Sequence, residues 1–318
     1  MKLGYKLFSE GCGPNELVRQ AVRAEEVGFD FVEISDHFHP WLYDHGHSPF
    51  AWSVLGSVAA RTERLELSTG VTCPSIRYHP AIVAQAAATV ALLSDGRFTL
   101  GVGSGEQLNE HIVGRGWPSV TERHEVFREA LEIIRLLWSG GYQSYEGKYL
   151  QLEDARVFDL PETAPPIVVA IGGPRAAAIA AEHGDGIFTT EPDRKLVGAY
   201  RDAGGSGAMY TEVPLAWAPD EDSAARSAHA RFRFGLLGWK VLAELPNPIN
   251  FEAASEFITV DAVREVFACG PDVERHLEVA RQFAGAGFDH LALINAGPDP
   301  DGFFDFFAAE LAAPLREL

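Results

Sequence analysis

The sequence predicts an α/β fold in which eight parallel strands close into a (β/α)8 barrel. Short runs rich in apolar and β-branched residues alternate eight times with longer segments rich in Ala, Leu, Glu and Arg. Alternation of this kind calls for right-handed crossovers between parallel strands, and eight units suffice to close the sheet. No linker-like stretch, internal repeat or low-complexity run divides the chain, so residues 1–318 are expected to be one barrel domain. An open doubly wound sheet is the runner-up, because it alternates in the same way.

The first strand run is 2–8, and the later ones are 29–34, 65–72, 98–102, 167–171, 186–190, 213–218 and 291–295. A helix carrying Leu17, Ala21, Ala24 and Val27 follows the first run, with Asn15 as its expected N-cap and Gly28 as its stop. Helical patterns also fit 50–60, 80–93 and about 120–138, then a short segment from Arg175, one with Leu196 and Tyr200, and a last one over roughly 300–311. Pro80 stands at an early helical position, where its missing N–H is tolerated. Two segments exceed the minimal unit. One is a hairpin-like insertion at about 142–158, with Gly147 at its turn. The other spans about 219–271 and holds Trp239, Pro246, Pro248 and Phe251. In a barrel it would lie over the C-terminal mouth as a lid or substrate wall, or serve as a structural cap or dimer element.

Composition narrows the function. The 26 Lys and Arg against 45 Asp and Glu leave a formal charge of −19, which argues against nucleic acid or an anionic membrane surface as partner. Cys12, Cys73 and Cys269 lie far apart, so neither a disulfide framework nor a structural zinc site is expected. No catalytic metal is expected either, because His39, His45 and His47 lack completing ligands. The N-terminus lacks a signal-peptide core and no apolar run is long enough for a membrane span, so a cytoplasmic protein is the expectation.

In a barrel, the residues just after each strand share one face. Those after the second run are Ser35-Asp36-His37-Phe38-His39-Pro40-Trp41, a carboxylate, an imidazole and an indole together. Pro40 keeps His39 out of helical geometry, so this is a shaped loop. Glu10, Thr72, Cys73, Ser104, Glu106, Asn109, Thr190 and Glu191 would face the same cavity. His37 titrates near neutrality and can exchange a proton with a substrate hydroxyl. Glu106, in a loop opened by Gly103 and Gly105, is placed to hand a proton to a ring nitrogen of a flat ligand. Gly101-Val102-Gly103-Ser104-Gly105 does not match the dinucleotide spacing, since Glu106 stands where the third glycine belongs. Gly172-Gly173-Pro174-Arg175 before a helix suits an anion, and Gly70 within a β-branched run marks a bulge or a close ligand approach.

Residues 36–41, 77–85 (Arg77-Tyr78-His79-Pro80-Ala81-Ile82-Val83-Ala84-Gln85), 101–110 and Trp138-Ser139-Gly140 resemble the deazaflavin-dependent branch of the bacterial luciferase-like superfamily. Its glucose-6-phosphate and secondary alcohol dehydrogenases use coenzyme F420. The resemblance implies a barrel with the cofactor ring at its mouth and a non-prolyl cis peptide at Gly70–Val71. It implies a catalytic group of His37, Trp41, Glu106 and Glu10. It gives Asp36, Gly70, Val71, Cys73, Ser104, Gly105, Asn109, Gly172, Gly173 and Arg175 to the cofactor. Thr190, Arg264 and Lys195 would face the substrate, and a homodimer is implied. The sugar-phosphate enzymes hold phosphate with two lysines whose matching positions fall near Asp193 and Ala253, so an unphosphorylated alcohol or sugar, or a differently held sugar phosphate, is expected. The other readings are an FMN-dependent monooxygenase of the same superfamily and a non-catalytic cofactor-binding protein.

Overall fold

The computed structural model describes residues 1–318. Its barrel strands are β1 (Lys2–Leu7), β2 (Phe31–Ile34), β3 (Glu66–Thr69), β4 (Phe98–Val102), β5 (Ile167–Ala170), β6 (Gly186–Thr189), β7 (Ala208–Ala216) and β8 (His290–Asn295). Every pairing around the ring is parallel, and β6 pairs with β7 to close it. The expected (β/α)8 barrel is therefore the fold.

Period-two alternation explains the walls. On β1, Leu3, Tyr5 and Leu7 point into the helical shell, where Tyr5 meets Phe29 and Phe304. Gly4 and Lys6 point into the barrel. Gly4 must lack a side chain because the Phe31 ring of β2 fills the space its Cβ would take. Phe31, Val168, Phe188, Tyr210 and Ala292 form the apolar lower layer of the interior.

Several boundaries differ from expectation. The first helix, Pro14–Glu26, is capped by Gly13 rather than Asn15, because Pro14 takes the first helical position. β3 stops at Thr69, and a single parallel bridge between Thr72 and Val102 resumes the sheet beyond Gly70–Val71. The peptide between Gly70 and Val71 is cis. β7 begins at Ala208 instead of 213, and the polar Thr211 and Glu212 that masked it in the sequence lie within the strand. The last helix continues past Leu311 through a wide turn, Phe307–Leu311, into Ala312–Arg316. Helices Pro80–Leu93 and Val120–Trp138 match their expected spans.

The first insertion holds the antiparallel pair Gln143–Glu146 and Gln151–Ala155. The second is mostly helical: Glu221–Phe232, Trp239–Leu242, Pro248–Ser255 and Val260–Val266, then the two-residue strand Ala268–Cys269 beside β7. Phe232, Phe234, Phe251, Val263 and Phe267 from this segment pack with Trp41, Leu42 and Leu108 from the mouth loops as a second apolar core. No helix is long and apolar enough to cross a membrane.

Candidate active site

The centre of the mouth is an imidazole between two carboxylates. His37 leaves the end of β2, and its Nδ1 is in close contact with Oε1 of Glu10, which follows β1. Ser9 Oγ donates to the other Glu10 oxygen at 3.1 Å. With Nδ1–H given to Glu10, Nε2 turns to Oε1 of Glu106, 4.0 Å away. Burial alone would lower the His37 pKa, but the charge and hydrogen bond of Glu10, and then Glu106, outweigh it and leave it raised. Burial pushes Glu10 the opposite way, yet His37 and the more distant His45 and Lys6 hold it down to about 2.

Asp36, one residue earlier, braces the surrounding loops. Its Oδ1 accepts from Arg77 Nη2 and from the Tyr78 hydroxyl, both at 3.1 Å, and its Oδ2 accepts from Thr72 Oγ1 at 2.9 Å. Arg77 Nη2 also donates to the Asp36 carbonyl at 2.6 Å. The Arg77 backbone N–H donates to Glu110 Oε2 at 2.7 Å, and Nε lies 3.6 Å from Oε1. Glu110 is raised to about 7, because burial outweighs the attraction of Arg77. Asn109 Oδ1 accepts from the N–H groups of Phe38 and His39 at 2.8 and 3.1 Å. The loops after β2, β3 and β4 are thus one hydrogen-bonded body. Asp36, expected to hold a cofactor, has both carboxylate oxygens occupied by protein donors.

The glycines in and just after β4 let the segment that follows β3 pack closely against them. A Cβ on Gly101 would overlap the Thr69 carbonyl, and one on Gly103 would lie 2.9 Å from Val71 Cγ2. Gly105 has φ +84°, and its Cβ would stand 2.8 Å from Cys73 Sγ. Burial pushes the Cys73 thiol well up, so it is a neutral wall with Ser75 Oγ at 3.5 Å. Ser104, between these glycines, is half-buried. Asn109 Nδ2 is a buried donor with no partner, which leaves one directional contact for a ligand polar atom.

Gly172 and Gly173 precede helix Pro174–His183, whose first turn has no side-chain cap and no acidic residue. Its free N–H groups suit an anion, and Arg175 adds charge while Nη1 donates to Thr121 Oγ1 at 3.0 Å. Trp239 of the second insertion lies over Gly172, where a Cβ would be 3.1 Å from its indole. The uncapped helix start and the unpaired Asn109 amide fit a ligand with a flat ring at one end and a phosphate at the other.

Trp41 forms the apolar wall. It meets the His37 ring edge-on at 5.1 Å, stacks on Phe234 at 4.9 Å and meets Phe251 at 5.1 Å. Thr190 and Lys195 are exposed beyond β6, and Asp193 caps the following helix by accepting from the Lys195 N–H at 2.7 Å. Arg264 is engaged elsewhere. Its Nη1 and Nη2 donate to Glu221 and Asp222 at 2.8 and 2.9 Å, so it offers no free cation to the mouth.

Sequence reasoning gave no role to Arg77, Tyr78, Glu110 or Phe234. Arg77 had a signal, being a lone basic residue after a strand whose neighbouring loops carry Asp36, Glu106 and Glu110. Phe234 had only a weak one, the alternation Arg231-Phe232-Arg233-Phe234.

Comparison with known proteins identifies the family. A sequence profile of the family described as luciferase-like monooxygenase matches residues 1–290. An F420-dependent glucose-6-phosphate dehydrogenase of Microbacterium testaceum is 36% identical over 100% of this chain and 98% of its own length. One from Intrasporangium calvum is 37% identical over 100% of both. The solved structure of an F420-dependent secondary alcohol dehydrogenase in complex with an F420-acetone adduct superposes with a TM-score of 0.91 at 30% identity, covering 98% of each chain. With the profile over most of its length and relatives aligned along all of it, the chain belongs to the luciferase-like family.

Proposed function

We propose that this chain is an F420-dependent dehydrogenase acting on the CH–OH group of an unphosphorylated alcohol or sugar. The observation that carries this is His37, held at Nδ1 by Glu10 with Nε2 directed at the mouth beside Glu106. When bound, coenzyme F420 supplies the hydride acceptor. His37 Nε2 takes the hydroxyl proton, and Glu10 fixes the tautomer and offsets the charge the imidazole gains. Glu106, beside His37, would exchange the proton that a bound ring nitrogen needs. Trp41, with Phe234 and Phe251 behind it, excludes water and packs on the substrate.

Gly70, Val71, Cys73, Ser104, Gly105 and Asn109 would hold the deazaflavin ring, and Gly172, Gly173 and Arg175 would hold its phosphate. Asp36 acts by holding Arg77, Tyr78 and Thr72 in place. Thr190 and Lys195 border the substrate. The Glu106 carboxylate stands beside His37 at the mouth, and Arg264 is neutralised by its partners, so a phosphate dianion there meets a like charge and no free cation at Arg264, which a neutral alcohol does not need. The fully aligned relatives are named for glucose 6-phosphate and the structural neighbour for a secondary alcohol; the charge pattern supports the second. A cytoplasmic homodimer is part of the proposal, and light scattering tests the dimer.

The test is titration with F420 and with FMN, followed by 2-propanol, glucose and glucose 6-phosphate, monitored by loss of the oxidised deazaflavin absorbance. F420 should bind in preference, and a neutral alcohol should outperform the sugar phosphate. Preference for FMN would replace the dehydrogenase with a monooxygenase. Fast turnover of glucose 6-phosphate would overturn the substrate assignment.

A further inference from the structure

An ionic layer lies inside the barrel, between the apolar lower layer and the mouth. Lys6 of β1 and Glu33 of β2 have side chains 6% and 1% exposed, and Glu212 of β7 reaches them from across the interior. β8 separates β7 from β1, so this contact spans the lumen instead of following the sheet. Lys6 Nζ donates to Glu33 Oε1 at 3.1 Å and to the Gly70 carbonyl at 2.9 Å, and it pairs closely with Glu212. An ammonium has three protons, and all three are placed.

Barrel interiors are ordinarily filled with bulky apolar residues. An ion cluster in that position must overcome desolvation, so added stability is a weak account of it. Directional bonding is a better one. Gly70 is held at both polar groups, by Lys6 at its carbonyl and by the Ile34 carbonyl at its N–H, 2.8 Å away. The absence of a Gly70 side chain makes room for the Glu33 carboxylate, which a Cβ would overlap. Just beyond, the Thr72 N–H donates to the Gly101 carbonyl at 2.9 Å. Segment 70–72 is therefore pinned to β4 on one side and to the ionic layer below. The Lys6 charge also reaches Glu10, where it favours the ionised carboxylate.

We propose that Lys6 is a positioning residue for the cofactor: held by Glu33 and Glu212 inside the barrel, it fixes the Gly70 carbonyl and so the shape of the Gly70–Thr72 segment. The proposal rests on the reading above that this segment supports the deazaflavin ring. It is tested with Lys6→Met, which keeps length and removes charge, and with Glu212→Gln, which removes the carboxylate closest to the ammonium while leaving Lys6 in place. Hydrogen exchange of the cofactor-free proteins reports the backbone, and fluorescence titration reports the F420 Kd.

Lys6→Met should lose protection at Gly70 and Thr72 and raise the Kd, each by about tenfold, the order expected for one charge-assisted hydrogen bond. KM for the alcohol should stay within about twofold of wild type, since Lys6 is buried below the Gly70–Thr72 segment with its ammonium taken up by protein partners. Glu212→Gln should move exchange and Kd in the same direction by about threefold, and it decides the matter if Lys6→Met does not fold. A merely structural role would lower Tm while leaving exchange at 70–72 and the Kd of folded protein unchanged, and that result overturns the proposal. Failure of wild type to bind F420 would overturn the functional reading instead, and the exchange data would still decide whether Lys6 pins Gly70.

Discussion

The loops after β2, β3 and β4 and the long insertion between β7 and β8 both cover the mouth, but different forces hold them. The first region is bound by directional contacts: Asp36, Arg77, Tyr78, Thr72, Glu110 and Asn109 form a continuous buried network. The second is bound mainly by the apolar packing of Phe232, Phe234, Phe251 and Phe267 onto Trp41, Leu42 and Leu108. Its polar ties to the first region are scattered rather than joined: the Gln107 N–H to the Ala243 carbonyl at 3.0 Å, Glu244 to Arg123 and Trp117 at 2.7 and 2.9 Å, the Tyr43 N–H to Glu252 at 3.1 Å, and His45 Nε2 to the Arg231 carbonyl at 2.8 Å. Hydrogen bonds fix direction, as proton transfer requires. Apolar packing fixes volume and tolerates change of shape, as substrate choice requires.

The comparison can be broken most severely at Arg77. Arg77→Met strands the buried carboxylates of Asp36 and Glu110, and it should cost about 3–5 kcal/mol by denaturant unfolding and abolish cofactor binding. A loss below about 1 kcal/mol would mean that the network does not organise these loops.

Phe234→Ala tests the other region. It should cost about 3 kcal/mol, the low end for a buried Phe, because the insertion can settle into the space. KM for the alcohol should rise while the F420 Kd stays unchanged. An equal change in both would erase the division between the regions.

Glu10→Gln has a smaller expected effect, about 2 kcal/mol, because Gln still accepts from Nδ1–H. The pH dependence identifies it. Glu10 is depressed from its ordinary 4.5, so its contribution is complete above that value and is lost as pH falls toward about 2. His37 is raised from its ordinary 6.5, so its contribution is complete below 6.5 and is lost as pH rises through the folded value. The difference in Tm between wild type and variant should therefore be widest between pH 4.5 and 6.5. The smallest change is Glu244→Gln, a half-exposed partner, which should cost under about 1 kcal/mol and chiefly loosen the insertion, seen as faster hydrogen exchange at 239–247.

The two regions also differed in how far the sequence revealed them. The mouth loops stood out because each follows a buried apolar run and carries polar residues of known chemistry. Their mutual wiring was hidden, since Asp36, Arg77 and Glu110 meet only once three strands lie side by side. Asp36 illustrates this: the resemblance gave it to the cofactor, whereas the folded chain surrounds it with its own donors. The insertion was legible as aromatic and proline-rich, but the stacking of Phe234 on Trp41 is a contact nearly two hundred residues long in sequence. Arg264 was given to the substrate by the resemblance alone, and Glu221 and Asp222 occupy it. Within the barrel, Glu212 obscured the start of β7 because a charge inside a strand reads as a break until Lys6 is seen opposite it.

The most direct test of the account is the pH dependence of kcat/KM for alcohol oxidation in wild type and Glu10→Gln. Oxidation needs neutral His37, so the wild-type rate should climb with pH through the raised His37 value and level off above it. Without the Glu10 charge, that limb should move to lower pH while the plateau falls. A limb that stays in place in Glu10→Gln would contradict the assignment of His37, held by Glu10, as the group that takes the alcohol proton.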